Sequence, residues 1–160
     1  MNAAPGQRPE NPHSVQLATR IARSAADVYA FASAPSHIPL WAAGLGRAVE
    51  DVDGRWIADS PMGRVEVVFV PLNDFGVLDH DVTLPSGEVV HNPVRVIADG
   101  PDAAEVVFTL RRREGMTEEE FRRDEAAVRR DLGVLKRVLE EGEDRGVRGE
   151  QGDGGVSGVS

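Results

Sequence analysis

Residues 117–141 read TEEEFRRDEAAVRRDLGVLKRVLEE, and this stretch decides the fold. Phe121, Val128, Leu132, Leu135 and Leu139 recur at spacings of seven, four, three and four. Such spacing draws one apolar stripe along a helix of about six to seven turns. Thr117 and Glu120 stand three apart, the pattern of a capping box, in which each side chain bonds the other's backbone N–H. Three glutamates, 118–120, fill the first turn, where the helix dipole favours negative charge. Lys136 and Arg137 fall near the far end, and Gly142 is the expected stop. A stripe this long must cover something. The chain from Val15 to Arg113 reads as the sheet beneath it.

Working outward from the helix, residues 104–111 alternate, with Val106, Phe108 and Leu110 on one face. Before them come expected strands at Glu88–Ala98, Phe75–Val82, Gly63–Val70, Arg55–Ala58 and Arg47–Val52. The links carry turn chemistry: Asp99-Gly100-Pro101-Asp102, Pro85-Ser86-Gly87, Pro71-Leu72-Asn73-Asp74 and the two-residue hairpin signal Asp53-Gly54. A first strand is expected at Val15–Ile21, where Val15, Leu17, Thr19 and Ile21 alternate with polar or small residues. Ser24 and Asp27 open a short helix with Val28 and Phe31 on its apolar face, and Pro35 and Pro39 divide it from a second through Leu40 and Trp41 to Gly44. Strands segregated from helices predict an α+β domain: a seven-stranded antiparallel sheet wrapped around a long C-terminal helix, with two short helices after the first strand.

The chain of 160 residues fits one domain, expected at 14–141. Residues 1–13, with Pro5, Pro9 and Pro12, read as a disordered leader, and the glycine-rich 142–160 as a disordered tail. Net charge is −9, which argues against a nucleic-acid backbone or an anionic membrane as main partner. The basic run Arg111–Arg113 is answered by Glu114 and 118–120, and reads as a solvated strand end. There is no cysteine, so disulfides and thiolate chemistry are excluded. His13, His37, His80 and His91 show no ligand spacing on one face, so no metal site is expected. No phosphate loop or nucleophile elbow occurs, and no cofactor is expected. No signal pattern or apolar run of spanning length is seen; the expectation is a cytoplasmic monomer or homodimer without membrane insertion.

The order of elements resembles the helix-grip fold of the START-like, polyketide-cyclase-like superfamily, SRPBCC, over roughly residues 14–141. The stretches that carry the resemblance are TRIARSAADVYAFASAPSHIPLWAAG (19–44), FGVLDHDVTLPSGEVVHNPVRVIADG (75–100) and EVVFTLRRREGMTEEEFRRDEAAVRRDLGVLKRVLEE (105–141). It implies an apolar ligand held between sheet and long helix. No short catalytic motif runs through that group, and the fold does not choose among its functions.

The turns allow a register to be drawn. Val70 paired with Phe75 sets Val67 against Leu78 and Val65 against His80. Leu84 paired with Glu88 sets Val82 against Val90, His80 against Asn92 and Leu78 against Val94. Val52 paired with Arg55 sets Val49 against Ala58. Opposed residues share a face, so one inner face is expected to hold Val65, Val67, Phe69, Leu78, His80, Val82, Val90, Asn92, Val94 and Val96, with Trp56 joining through Val65. His80 and Asn92 thus stand side by side on an apolar wall, either as a mutually satisfied core pair or as ligand contacts. Asp79 and Asp81 point to the opposite face, Asp81 against His91. An acid for His80 would have to come from Asp124 or Asp131, on the flank of the helical stripe. Trp41 belongs to the helix pair that closes one mouth in helix-grip proteins. Met62 and Phe75 flank rim loops, and Gly133 leaves a notch beside Leu132. The candidate ligand-binding set is Trp41, Trp56, Val67, Phe69, Leu78, His80, Asn92, Phe108 and Leu132. The leading function is binding of a hydrophobic or aromatic small molecule. A polyketide cyclase or aromatase, with His80 moving a proton, is the alternative, and a protein-interaction module is the third.

Overall fold

The computed structural model describes residues 13–43 and 49–149. The expected leader up to Pro12, the link 44–48 and the tail beyond Gly149 lie outside the described residues. In chain order the elements are β1 (Ser14–Ile21), α1 (Ala25–Ala32), a 3-10 turn (Pro35–His37), α2 (Ile38–Trp41), β2 (Val49–Val52), β3 (Arg55–Ser60), β4 (Gly63–Phe69), β5 (His80–Thr83), β6 (Val89–Asn92), β7 (Val94–Ala98), β8 (Ala104–Arg111) and α3 (Glu118–Gly149).

The strands form two antiparallel sheets, β1-β8-β7 and β2-β3-β4-β5-β6, in place of the single seven-stranded sheet expected. The expected strand Glu88–Ala98 is cut at Pro93. Proline has no N–H to give a ladder, and the Pro93 carbonyl accepts from Thr109 N at 2.9 Å. The chain therefore leaves the five-stranded sheet on one side of Pro93 and enters the three-stranded sheet on the other. The expected strand Phe75–Val82 shortens to β5 for a related reason. Its front part stitches the sheets together: Leu78 N donates to Val94 O at 2.9 Å, and Val96 N donates to Gly76 O at 2.8 Å.

The hairpin at Asp53-Gly54 forms with both residues at positive φ, 55° and 79°, and pairs Val49 with Ala58 as expected. The turn at 85–87 sets Val82 against Val90 and His80 against Asn92, again as expected. Between β4 and β5 the register differs. Val67 opposes Val82 and Phe69 opposes His80, and Trp56 joins through Val67 rather than Val65. Residues 71–79 form a long loop, not a tight turn. Asn73 organises it: Oδ1 accepts from Phe75 N and Val77 N, Nδ2 donates to Pro71 O and Val77 O, and its backbone N donates to Tyr29 Oη on α1. Phe75, expected in a strand, is 84% exposed on this loop.

Helix α3 begins as its sequence requires. Thr117 N donates to Glu120 Oε2 at 2.9 Å, and Glu120 N donates to Thr117 Oγ1 at 3.1 Å. Phe121, Leu132, Leu135 and Leu139 are buried and Val128 is half-buried, so the stripe faces the sheet. Gly142 does not stop the helix, which runs on to Gly149. One exposed glycine costs only about 1 kcal/mol against alanine, and no proline follows within the helix. The sheet end of α3 is tied to the end of β1 by Ala22 N donating to Glu140 Oε1, Arg23 Nη1 donating to Leu139 O, and Lys136 Nζ donating to Arg20 O.

Two apolar clusters result. One lies under α3, where Leu17, Ile21, Val28, Leu78, Val94, Val106, Leu132 and Leu135 pack together. The other, Ala58, Val65, Val67 and Val82 with Trp56, Phe69 and Leu84 against it, sits on the five-stranded sheet.

Candidate ligand cavity

Where the two clusters meet, the packing leaves a cavity of about 180 Å³, partly open to solvent. Phe69, Val82, Leu84 and Val90 line it from the five-stranded sheet. Phe108 and Leu110 line it from β8, Ile38, Trp41 and Ala42 from the α2 segment, and Ala127, Val128 and Leu132 from α3. Each wall follows from the period of its element: alternate residues on the strands, and the 128–132 stretch of the stripe on the helix.

His80 is the buried polar residue on this wall, at 7% exposure. Its ring lies between Phe69, centroids 5.0 Å apart, and Phe108, 6.4 Å away and edge-on. His80 Nδ1 stands 3.1 Å from Leu78 O. A carbonyl can only accept, so Nδ1 carries the proton and Nε2 is the bare nitrogen. Asn92 Nδ2 stands 3.4 Å from that Nε2 and donates to it. Burial is the main influence on the imidazole and lowers its pKa below the ordinary 6.5; the Leu78 hydrogen bond and Asp79 oppose this less strongly. The ring is therefore neutral at neutral pH.

Asp79 and Asp81 lie on the opposite face, as expected. Asp81 Oδ1 meets His91 Nδ1 at 2.6 Å. Asp79 accepts from Val94 N at 2.9 Å and pairs with Arg95. Neither touches His80 through a hydrogen bond among the described residues.

Trp41 also lines the cavity. Its indole Nε1 is shielded from solvent and finds no acceptor among the described residues. An indole N–H in that state costs about 1–3 kcal/mol. The lining also carries charge: Arg111 at the end of β8, Arg113 just beyond it, and Asp124 and Asp131 on α3. Arg113 Nη1 donates to Glu88 Oε2 at 3.1 Å. Burial raises the pKa of Asp124, with Arg113 opposing and Glu120 adding to the rise. Arg113 and Asp124 also line a polar groove next to the cavity with Glu114, Gly115, Met116, Glu120 and Arg123. Among the described residues no three histidine, aspartate or glutamate side chains are grouped to hold a metal ion.

Of the nine residues singled out from sequence, Trp41, Phe69, His80, Asn92, Phe108 and Leu132 line the cavity. Leu78 is packed in the core under α3, and Trp56 and Val67 belong to the cluster on the five-stranded sheet. Met62 lines the rim and Phe75 does not. Gly133 faces outward, and a Cβ there would meet nothing within 4 Å, so it makes no notch for a ligand. Asp124 and Asp131, placed by sequence on the flank of the stripe, lie on the wall. Arg113, read as a solvated strand end, does so too. Its position in the alternation after Leu110 carries no signal, because β8 ends at Arg111.

A curved wall of strands, a long C-terminal helix across it and a cavity between them make this a helix-grip fold. No family model matches the chain, and no curated protein sequence matches it. Solved structures do. XoxI from Bacillus cereus is 12% identical, with a TM-score of 0.65 over 82% of this chain and 99% of that one. DynU16, a protein of the dynemicin biosynthetic locus, is 15% identical with a TM-score of 0.63 over 82% of this chain, which spans 49% of that longer one. Norcoclaurine synthase from Thalictrum flavum, a point mutant in complex with a transition-state analogue, is 13% identical with a TM-score of 0.56, over 81% of this chain and 95% of that one. At these identities the likeness is one of fold. No helix among the described residues is long and apolar enough to cross a membrane.

Proposed function

We propose that this protein binds a compact hydrophobic or aromatic small molecule between its strands and α3. The observation that carries the reading is the cavity itself: walls that are mostly apolar, interrupted by a few polar and charged groups, the usual makeup of a small-molecule site. Trp41, Phe69, His80, Asn92, Phe108 and Leu132 are the ligand-binding residues in this reading. Helix-grip neighbours that include a synthase crystallised with a transition-state analogue support it at the level of fold. A cyclase-type reaction would need His80 to take up a proton. Its bare nitrogen already accepts from Asn92, and no carboxylate hydrogen-bonds the ring among the described residues, so binding is the better reading.

Calorimetric titration with naphthalene tests it. Saturable one-to-one binding is expected for the unaltered protein. Val90→Phe fills the cavity from the wall and should weaken that binding by at least tenfold with the fold intact by circular dichroism. Undiminished binding in Val90→Phe, or none to the unaltered protein, would refute the reading.

A further inference from the structure

The wall that α3 gives the cavity is interrupted by a carboxylate. Asp124, Val128 and Leu132 follow one another at intervals of four residues, and all three line the cavity. Such spacing sets side chains one above the other along a helix. Asp124 therefore takes a place in line with the apolar residues rather than on the solvent face. It is half-buried, and its carboxyl makes no hydrogen bond or ion pair among the described residues. Arg113 attracts it, yet the loss of hydration outweighs that attraction, and Glu120 adds to the imbalance. A carboxylate so placed is short of positive charge.

The other charges of the lining are answered. Arg113 Nη1 donates to Glu88 Oε2 at 3.1 Å. Asp131 has an interaction of its own within the chain. Arg111 ends β8 exposed and keeps its water. The whole chain carries a net charge of −9, which favours the approach of cations over anions. A polar residue set among apolar ones without a compensating partner in the fold is where a functional contact is expected.

We propose that the ligand is an amphipathic cation, with an apolar or aromatic body held between the strands and the Val128–Leu132 face of α3 and an ammonium group that donates to the Asp124 carboxylate. This rests on the small-molecule reading above and adds the charge of the ligand. Asp124 lines both the cavity and the polar groove beside it, so the body can lie in the first while the ammonium stands where the two meet. The pairing gives the carboxylate a charge-assisted hydrogen bond, stronger than a neutral one. An anionic ligand meets the reverse: Asp124 repels it, and the Arg113 guanidinium is already taken by Glu88.

The test is a set of four probes titrated by calorimetry near neutral pH: naphthalene, 2-naphthylmethanol, 2-naphthylmethylamine and 2-naphthoate. On the unaltered protein the amine, which is protonated there, should bind at least about tenfold more tightly than the alcohol of nearly the same shape. The carboxylate should bind no better than the alcohol. Asp124→Asn should bring the ratio of amine to alcohol affinity down to about one. Glu120→Gln removes a negative charge from the same end of α3, and glutamine keeps the capping bond to Thr117 N; the ratio should persist there. A ratio that falls equally in Glu120→Gln would make the preference one of net charge and overturn the assignment to Asp124. An alcohol or carboxylate that binds as tightly as the amine, or a preference that survives Asp124→Asn, would also overturn the inference and leave the cavity reading standing. No binding of naphthalene or any derivative would overturn both. The titrations on the unaltered protein can refute the cation by themselves, whatever the variants do.

Discussion

Replacing His80 with phenylalanine should flatten the acid side of the stability profile. Burial holds the folded-state pKa of His80 below 6.5, while in the unfolded chain the ring titrates at its ordinary value. The sign follows from proton counting. Between the folded pKa and 6.5 the unfolded state binds more protons, so stability falls as pH falls through that window. Above 6.5 both states are neutral and the contribution is fully present. The slope approaches its one-proton limit of about 1.4 kcal/mol per pH unit where the unfolded ring is charged and the folded ring neutral. Asp79 and Asp81 on the far face hold the folded pKa up and His91 pushes it down, so the window narrows at its acid end without changing sign. Phenylalanine fits between Phe69 and Phe108 and cannot titrate. It deprives Leu78 O of a donor, a cost that does not vary with pH. Urea unfolding of both proteins from about pH 8 to pH 5.5 should therefore give two curves whose separation shrinks towards acid. Nitrogen NMR of the imidazole should show Nδ1 protonated and Nε2 bare at neutral pH. Parallel stability curves, or a bare Nδ1, would refute the argument.

Leu135→Ala removes a side chain with no exposed surface from the α3 stripe and should cost about 2–5 kcal/mol by urea unfolding. Gly76→Ala should destabilise strongly, because Gly76 has φ 70° and a Cβ there would run into the Val96 carbonyl oxygen, beside the bond from Val96 N to Gly76 O that stitches the sheets; hydrogen exchange at Val96 should accelerate. Gly133→Ala should raise stability by up to about 1 kcal/mol, since the site is exposed and open. Asp124→Asn should stabilise increasingly as pH rises from about 4, because a raised carboxyl pKa means the folded state holds its proton longer and loses stability through that window; equal stability of the two proteins at pH 7 would refute it.

The helix, its capping box and its buried stripe were legible because each is local: period and cap lie within one turn or two of sequence. The same holds for the 53–54 and 85–87 turns, and the second of these sets His80 against Asn92 from sequence alone. The sheet as a whole was less legible. Pro93 sits inside an apolar alternation that looks continuous, and only its missing N–H marks the change of sheet. The 71–79 loop looked like a four-residue turn because Asn73 bonds groups two and four residues away, and a side chain that serves as a scaffold reads in sequence as turn composition. Trp56, Val67 and Leu78 have the right parity for the inner face, but parity does not say how far along the sheet the packing closes.

The register error between β4 and β5 shows why the site survived a wrong pairing. Expected partners differ from observed ones by an even number of residues: His80 opposes Phe69 rather than Val65. Side chains alternate with a period of two, so an even slip keeps every residue on its face, and an odd one would have turned His80 outward. The hydrophobic pattern fixes parity. Register within that parity depends on the loop, and here it depends on Asn73. That choice has a chemical consequence. It brings the Phe69 ring to 5.0 Å from His80, and this cover is part of the burial that keeps the imidazole neutral and so orients the Asn92 amide.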